Sequence, residues 1–130
     1  MLEELNKRTL KLKLTRKTLG NLKKIMELKG EGTKDSPFII DDLGDVFAEF
    51  TIKTKGTYLV LRNLTISKVK MLNSRNVAIE NCFVGRLNIV RCRNLTFRNN
   101  SIMTAKQFLS RNCFFENNII VYEQYKRKKK

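Results

Sequence analysis

The chain has 130 residues, enough for one hydrophobic core and not for two. It carries 27 Lys and Arg against 12 Asp and Glu, a net charge of +15, so it should seek anions: nucleic acid, acidic lipid head groups or acidic polysaccharide. Histidine is absent, which removes the commonest metal ligand and general base, and three cysteines (Cys82, Cys92, Cys113) at irregular spacing point to reduced thiols in a cytoplasmic setting.

Residues 1–29 are basic and contain no uninterrupted apolar run of the kind a signal peptide or membrane span needs. TLKLKLT (9–15) alternates like a strand. Thr18 to Lys29 places Leu22, Ile25 and Met26 on one face of a short helix that Gly30 would end. This segment is expected to cap the open N-terminal end of the repeats beyond it, since a helix lying on a membrane would need a wider apolar face. Residues 31–57 are the only acidic stretch. There VFAEFTI (46–52) alternates Val46, Ala48, Phe50 and Ile52, while Asp41, Asp42, Asp45 and Glu49 cluster, expected to cap bends or pair with the basic N-terminus.

From residue 58 the chain repeats. VLRNLTI (60–66), AIENCFV (78–84), TFRNNSI (96–102) and FFENNII (114–120) align without a gap, and their asparagines, Asn63, Asn81, Asn99 and Asn117, stand eighteen residues apart. Leu61, Ile79, Phe97 and Phe115 precede them by two; Leu59, Val77, Leu95 and Cys113 by four; Ile66, Val84, Ile102 and Ile120 follow by three. Fixed-period self-similarity marks a solenoid, whose repeats bury their apolar faces only against each other. The period of two and the β-branched and aromatic columns predict extended coils, stacked about 4.8 Å apart. The asparagines are expected at a corner, their amides stacked in a ladder from coil to coil, with Asn76, Asn94 and Asn112 marking the previous bend. One residue before the ladder, Arg62, Glu80, Arg98 and Glu116 predict opposite charges side by side on neighbouring coils.

Eighteen-residue coils with an asparagine column resemble the right-handed parallel β-helix superfamily, the pectate-lyase-like and CASH-type repeats. GEGTKDSPFII (30–40) is similar to the G-x-G-[ST]-x-x-x-P-[YF]-x-I lead-in of archaeal members of that group. The resemblance spans residues 30–121 and implies an all-β fold: a single right-handed parallel β-helix, or β-solenoid, of about five 18-residue coils with a short N-terminal strand/helix cap. The expected organisation is a basic capping segment at 1–29, the β-helix at 30–121 and a basic tail at 122–130. Coils this short are closer in length to those of bactofilins, β-helical filament proteins. A left-handed hexapeptide helix also has eighteen residues per coil, but it needs an aliphatic residue every six, where this chain has Thr65, Ser101 and Gln107.

Enzymes of the resembled fold cleave acidic polysaccharides with clustered carboxylates, often with calcium. Across residues 58–121 the acids are Glu80 and Glu116, both in the paired outward column, and the cysteines without histidine make no persuasive zinc site. The expectation is therefore a protein with no catalysis, metal or cofactor. The basic residues are better ordered: Arg75, Arg93 and Arg111 form one column, and Lys68, Lys70, Arg86, Arg91 and Lys106 are expected across the bend after each coil. With the tail cations Lys126, Arg127, Lys128, Lys129 and Lys130 they form the candidate site for RNA or DNA in a larger assembly. Few aromatic residues accompany them, so base stacking is expected to be minor. The alternative is a structural protein, a homodimer or end-to-end stack joined through coil ends; a sugar-binding or sugar-active β-helix is more remote.

Overall fold

The structure, a computed structural model, describes residues 9–44 and 46–126. Along these residues run β1 (Thr9–Thr15), α1 (Arg16–Met26), β2 (Phe38–Asp41), β3 (Phe47–Lys53), β4 (Leu59–Arg62) and β5 (Thr65–Leu72). They are followed by β6 (Arg75–Glu80), β7 (Phe83–Val90), β8 (Arg93–Arg98), β9 (Ser101–Phe108), β10 (Arg111–Glu116) and β11 (Ile119–Lys126). Odd-numbered strands are long and form one parallel sheet in sequence order; even-numbered strands are short and form a second. One coil is thus a short strand, a bend, a long strand and a second bend. The short-strand sheet has five strands, so the chain is a parallel β-solenoid of five coils.

The repeat columns stand in register. Leu59, Val77, Leu95 and Cys113 are neighbours across β4, β6, β8 and β10, as are Leu61, Ile79, Phe97 and Phe115. Ile66, Val84, Ile102 and Ile120 do the same in the long-strand sheet. Strand side chains alternate between faces, so these columns turn inward together and their buried members form one core between the sheets. Phe97 and Phe115 stack with ring centroids 4.6 Å apart.

The corners are built differently from the sequence expectation. Asn63, Asn81, Asn99 and Asn117 do adopt the left-handed backbone a corner needs, with φ between 53° and 59°, but their side chains are exposed and make no ladder. Their backbone supplies the stacking: the N–H groups of Asn63, Asn81 and Asn99 donate to the carbonyls of Glu80, Arg98 and Glu116 in the next coil. The turned backbone aims the following residue inward, and that position carries the side-chain ladder. Asn100, 2% exposed, accepts from the N–H of Cys82 at 2.9 Å and donates to the carbonyl of Ile79 at 2.9 Å. Asn118 repeats the pattern one coil on, accepting from the N–H of Asn100 and donating to the carbonyl of Phe97, both at 2.9 Å.

The second bend follows the same rule with other residues. Its left-handed positions in the later coils are Asn73, Arg91 and Leu109, and the next residue again faces inward; in the first coil the buried Thr54 instead precedes the left-handed Lys55. Ser74 accepts from the N–H of Thr54 at 3.1 Å, and Ser110 from that of Cys92 at 3.0 Å. Asn76, Asn94 and Asn112 are also left-handed, but they lie within the short strands as local kinks, three residues past the bend itself.

At the N-terminal end β1 pairs with β3 and begins the long-strand sheet. Thr15 and Thr18 form a reciprocal capping box that starts α1 two residues earlier than expected. The helix buries Leu19 and half-buries Leu22, while Ile25 and Met26 are exposed, so the apolar face lies one turn nearer its start than predicted. It ends at Glu27, which takes the left-handed C-cap, not at Gly30. Gly30, at φ 94°, instead permits a tight loop; a Cβ there would overlap the carbonyl of Pro37. In that loop the N–H groups of Glu31, Gly32 and Thr33 converge on the carbonyl of Ser36.

Candidate anion-binding surface

Each short strand from β6 onward begins with an arginine, and Arg75, Arg93 and Arg111 are neighbours in register, as expected. Backbone bonds to the preceding bend fix them: their N–H groups donate to the carbonyls of Lys55, Ser74 and Cys92 at 2.8, 3.1 and 3.1 Å. Strands in a sheet lie about 4.8 Å apart, so three guanidinium stems project side by side within roughly 10 Å. They border a cavity of about 1120 Å³ along the second bend, together with Lys55 and Arg91. Among the described residues no carboxylate lines it.

The short strands end in the charge ladder, and there the arginines are neutralised. Arg62 pairs with Asp41 at 2.9 Å; Arg98 pairs with Glu116 at 3.0 Å and Glu80 at 3.5 Å. The alternation expected from the sequence is thus present, except that Arg62 pairs with the preceding coil. Hydrogen bonds from Asn63 and Arg62 hold the Asp41 carboxyl below its ordinary value. Among the described residues, none of Arg75, Arg91, Arg93 and Arg111 forms an ion pair. One end of each short strand is charge-paired and the other is not.

The remaining cations separate into two groups. Arg91 sits at the left-handed bend position and joins the groove. Lys68, Lys70, Arg86 and Lys106 do not lie across a bend; they project from the outer face of the long-strand sheet, where alternation turns them away from the core. Lys68 and Arg86 share a column with Lys11, Glu49, Thr104 and Tyr122. Lys70 and Lys106 share the next with Lys13, Thr51, Asn88 and Gln124. The sequence reading missed the aromatic residues of this face, because it followed the Asn-centred columns and not the outward ones. Phe83, Phe108 and Tyr122 are exposed on β7, β9 and β11 of the same sheet. Lys126 closes β11 opposite Phe108; Arg127, Lys128, Lys129 and Lys130 lie outside the described residues.

The other polar clusters have structural work. Asp42 accepts from the N–H of Gly44 at 3.0 Å, capping a bend, and Asp41 belongs to the charge ladder; Asp45 lies outside the described residues. Burial pushes the thiols of Cys82 and Cys113 up to about 11 and raises that of Cys92. At these values the thiolate, the reactive form, is scarce near neutral pH. Cys82 and Cys92 fill inward corner positions and lie against the carbonyls of Glu80 and Val90. Among the described residues no three of His, Cys, Asp and Glu come together as a metal site, and no helix is long and apolar enough to cross a membrane. No protein family, curated protein or solved structure matches the chain.

Proposed function

We propose that this solenoid is a non-catalytic nucleic-acid-binding protein that holds the phosphodiester backbone along the groove of Arg75, Arg93 and Arg111. One observation carries the reading: among the described residues these arginines stand in register, unpaired, in a groove without carboxylates, while Arg62 and Arg98, at the other end of the short strands, are neutralised. Like charges in register repel, so this column is stabilised by an anion from outside. Arginine's planar fork suits phosphate oxygens, and a rigid row of forks suits a polymer of phosphates better than a single anion. The outer lysines of the long-strand sheet extend the same field. The reading includes membership of the right-handed parallel β-helix superfamily, on the strength of the Gly30–Ile40 lead-in, and a cytoplasmic location, on the strength of the odd cysteine count.

The test is a salt titration of binding to a fluorescent oligonucleotide, for the wild type and for a variant with all three arginines changed to Gln. Loss of three phosphate contacts should lower affinity and flatten the plot of log K against log salt by about 2–3. Unchanged binding by the triple variant, with loss only on deleting Lys126–Lys130, would move the function to the tail.

A second reading is favoured by the exposure of Phe114, Ile119, Val121 and Tyr122 on β10 and β11, the last strands of the two sheets among the described residues. Such strands suit pairing with a second copy. Self-association of a +15 chain should tighten as salt rises, whereas nucleic-acid binding should weaken.

A further inference from the structure

A second cavity, of about 330 Å³, opens on the outer face of the long-strand sheet. Its lining includes Lys70, Asn88, Lys106 and Gln124, consecutive members of one column, so ammonium and amide groups alternate from strand to strand. Val90 and Phe108, paired in register two residues further along β7 and β9, give it an apolar wall. The volume is at the small end of the range for pockets that enclose a small organic molecule, about 300–1,000 Å³. An aromatic wall, amides able both to donate and to accept, and flanking cations together match a nucleotide: ring face, ring edge and phosphate.

The cavity also adjoins the arginine groove. Gln107 lines both, and its Oε1 is buried without a hydrogen-bond partner. The chain passes from one lining to the other in single steps, Val90 to Arg91 and Phe108 to Leu109.

Resting on the nucleic-acid reading above, we propose that the ligand is single-stranded. Its phosphates lie on the groove arginines while one base turns into the smaller cavity, stacks on Phe108 and is held at its edge by Asn88 and Gln124. A duplex keeps its bases paired and stacked inward, so it can use the groove but not the cavity.

The experiment measures fluorescence anisotropy with labelled 12-nucleotide single strands, RNA and DNA, and with the matching duplexes, using the full chain at fixed salt. The wild type should prefer single strands by tenfold or more, and the RNA and DNA arms show whether the 2′-hydroxyl contributes. Phe108→Ala should weaken single-strand binding roughly 5- to 150-fold, the effect of losing one stacked base, and leave duplex binding within about twofold. Phe108→Tyr should keep the preference. Asn88→Leu, near-isosteric and neutral, should lose it without a change in melting temperature, which guards against an unfolded Phe108 variant. Equal affinity for single strands and duplex, or equal loss of both in Phe108→Ala, overturns the proposal. So does single-strand binding that falls in the triple arginine variant but survives in both Phe108→Ala and Asn88→Leu; the groove reading then stands alone. No binding of any oligonucleotide overturns both.

Discussion

Replacing Asn100 by Ala isolates the inward corner ladder from the outward asparagine column beside it. Asn100 is 2% exposed, and its side chain satisfies the Cys82 N–H and the Ile79 carbonyl while also bonding to Asn118 Oδ1 at 3.0 Å. Alanine leaves the Cys82 N–H buried without its acceptor, a loss of about 1–3 kcal/mol, and removes the bond to Ile79, worth about 1 kcal/mol more. Together these give a total of about 2–4 kcal/mol, before any contribution from the vacated volume. For a chain of this size that lowers the melting temperature by roughly 10 °C. Asn99→Ala, one residue away, removes an exposed side chain from a left-handed position and should cost about 1 kcal/mol or less. Urea midpoints and calorimetry on both variants make the comparison. Equal destabilisation by the two, or less than about 1 kcal/mol from Asn100→Ala, would refute the inward ladder.

Leu109 holds a left-handed backbone at φ 54° where the preceding coils use Asn73 and Arg91, so Leu109→Asn should stabilise by about 0.5–1 kcal/mol, read from the urea midpoint. The cysteines should alkylate slowly in the native state near pH 8, and half-buried Cys113 should react first as the pH approaches its value of about 11; rapid labelling of all three in folded protein would contradict their burial. Asp41 has its carboxyl held down, so it contributes stability above its unfolded value that is lost as pH falls through the lower folded value. Asn63→Ala should move that folded value back up, as followed by NMR titration of the carboxyl.

The fold was legible because its core columns recur at one step. Leu61, Ile79, Phe97 and Phe115 stand eighteen residues apart, and in-register stacking buries the first three and half-buries the last. The corners were legible in position but misread in mechanism. Asparagine at 63, 81, 99 and 117 signals left-handed backbone, whereas the inward side chain follows it and changes identity, Leu64, Cys82, Asn100 and Asn118, with the amide ladder carried by the two asparagines. Several small side chains can fill that place, so no constant residue advertises it. The helix was shifted because its start is set by Thr15 and Thr18 bonding to each other, and Leu19 then falls on the inward face.

The candidate site shows how a period can place residues without revealing what surrounds them. Arg75, Arg93 and Arg111 were visible as a column, and so were Arg62 and Arg98. What distinguishes the two columns is which end of the short strand each occupies, and therefore which carboxylates lie within reach. Glu80 and Glu116 close the same strands that Arg75 and Arg111 open, about 16 Å away along six residues of extended chain. At that separation the carboxylates neutralise Arg98 and leave the groove cations to be met from outside. The lysines of the long strands were misplaced because a bend and a bulged strand look alike in sequence: Ser67 is an extra residue in β5, which shifts the register with β3 by one and carries Lys68 and Lys70 onto the sheet face. Once there, they share that face with Phe83, Phe108 and Tyr122, the aromatic side chains that the proposed single-strand binding would use.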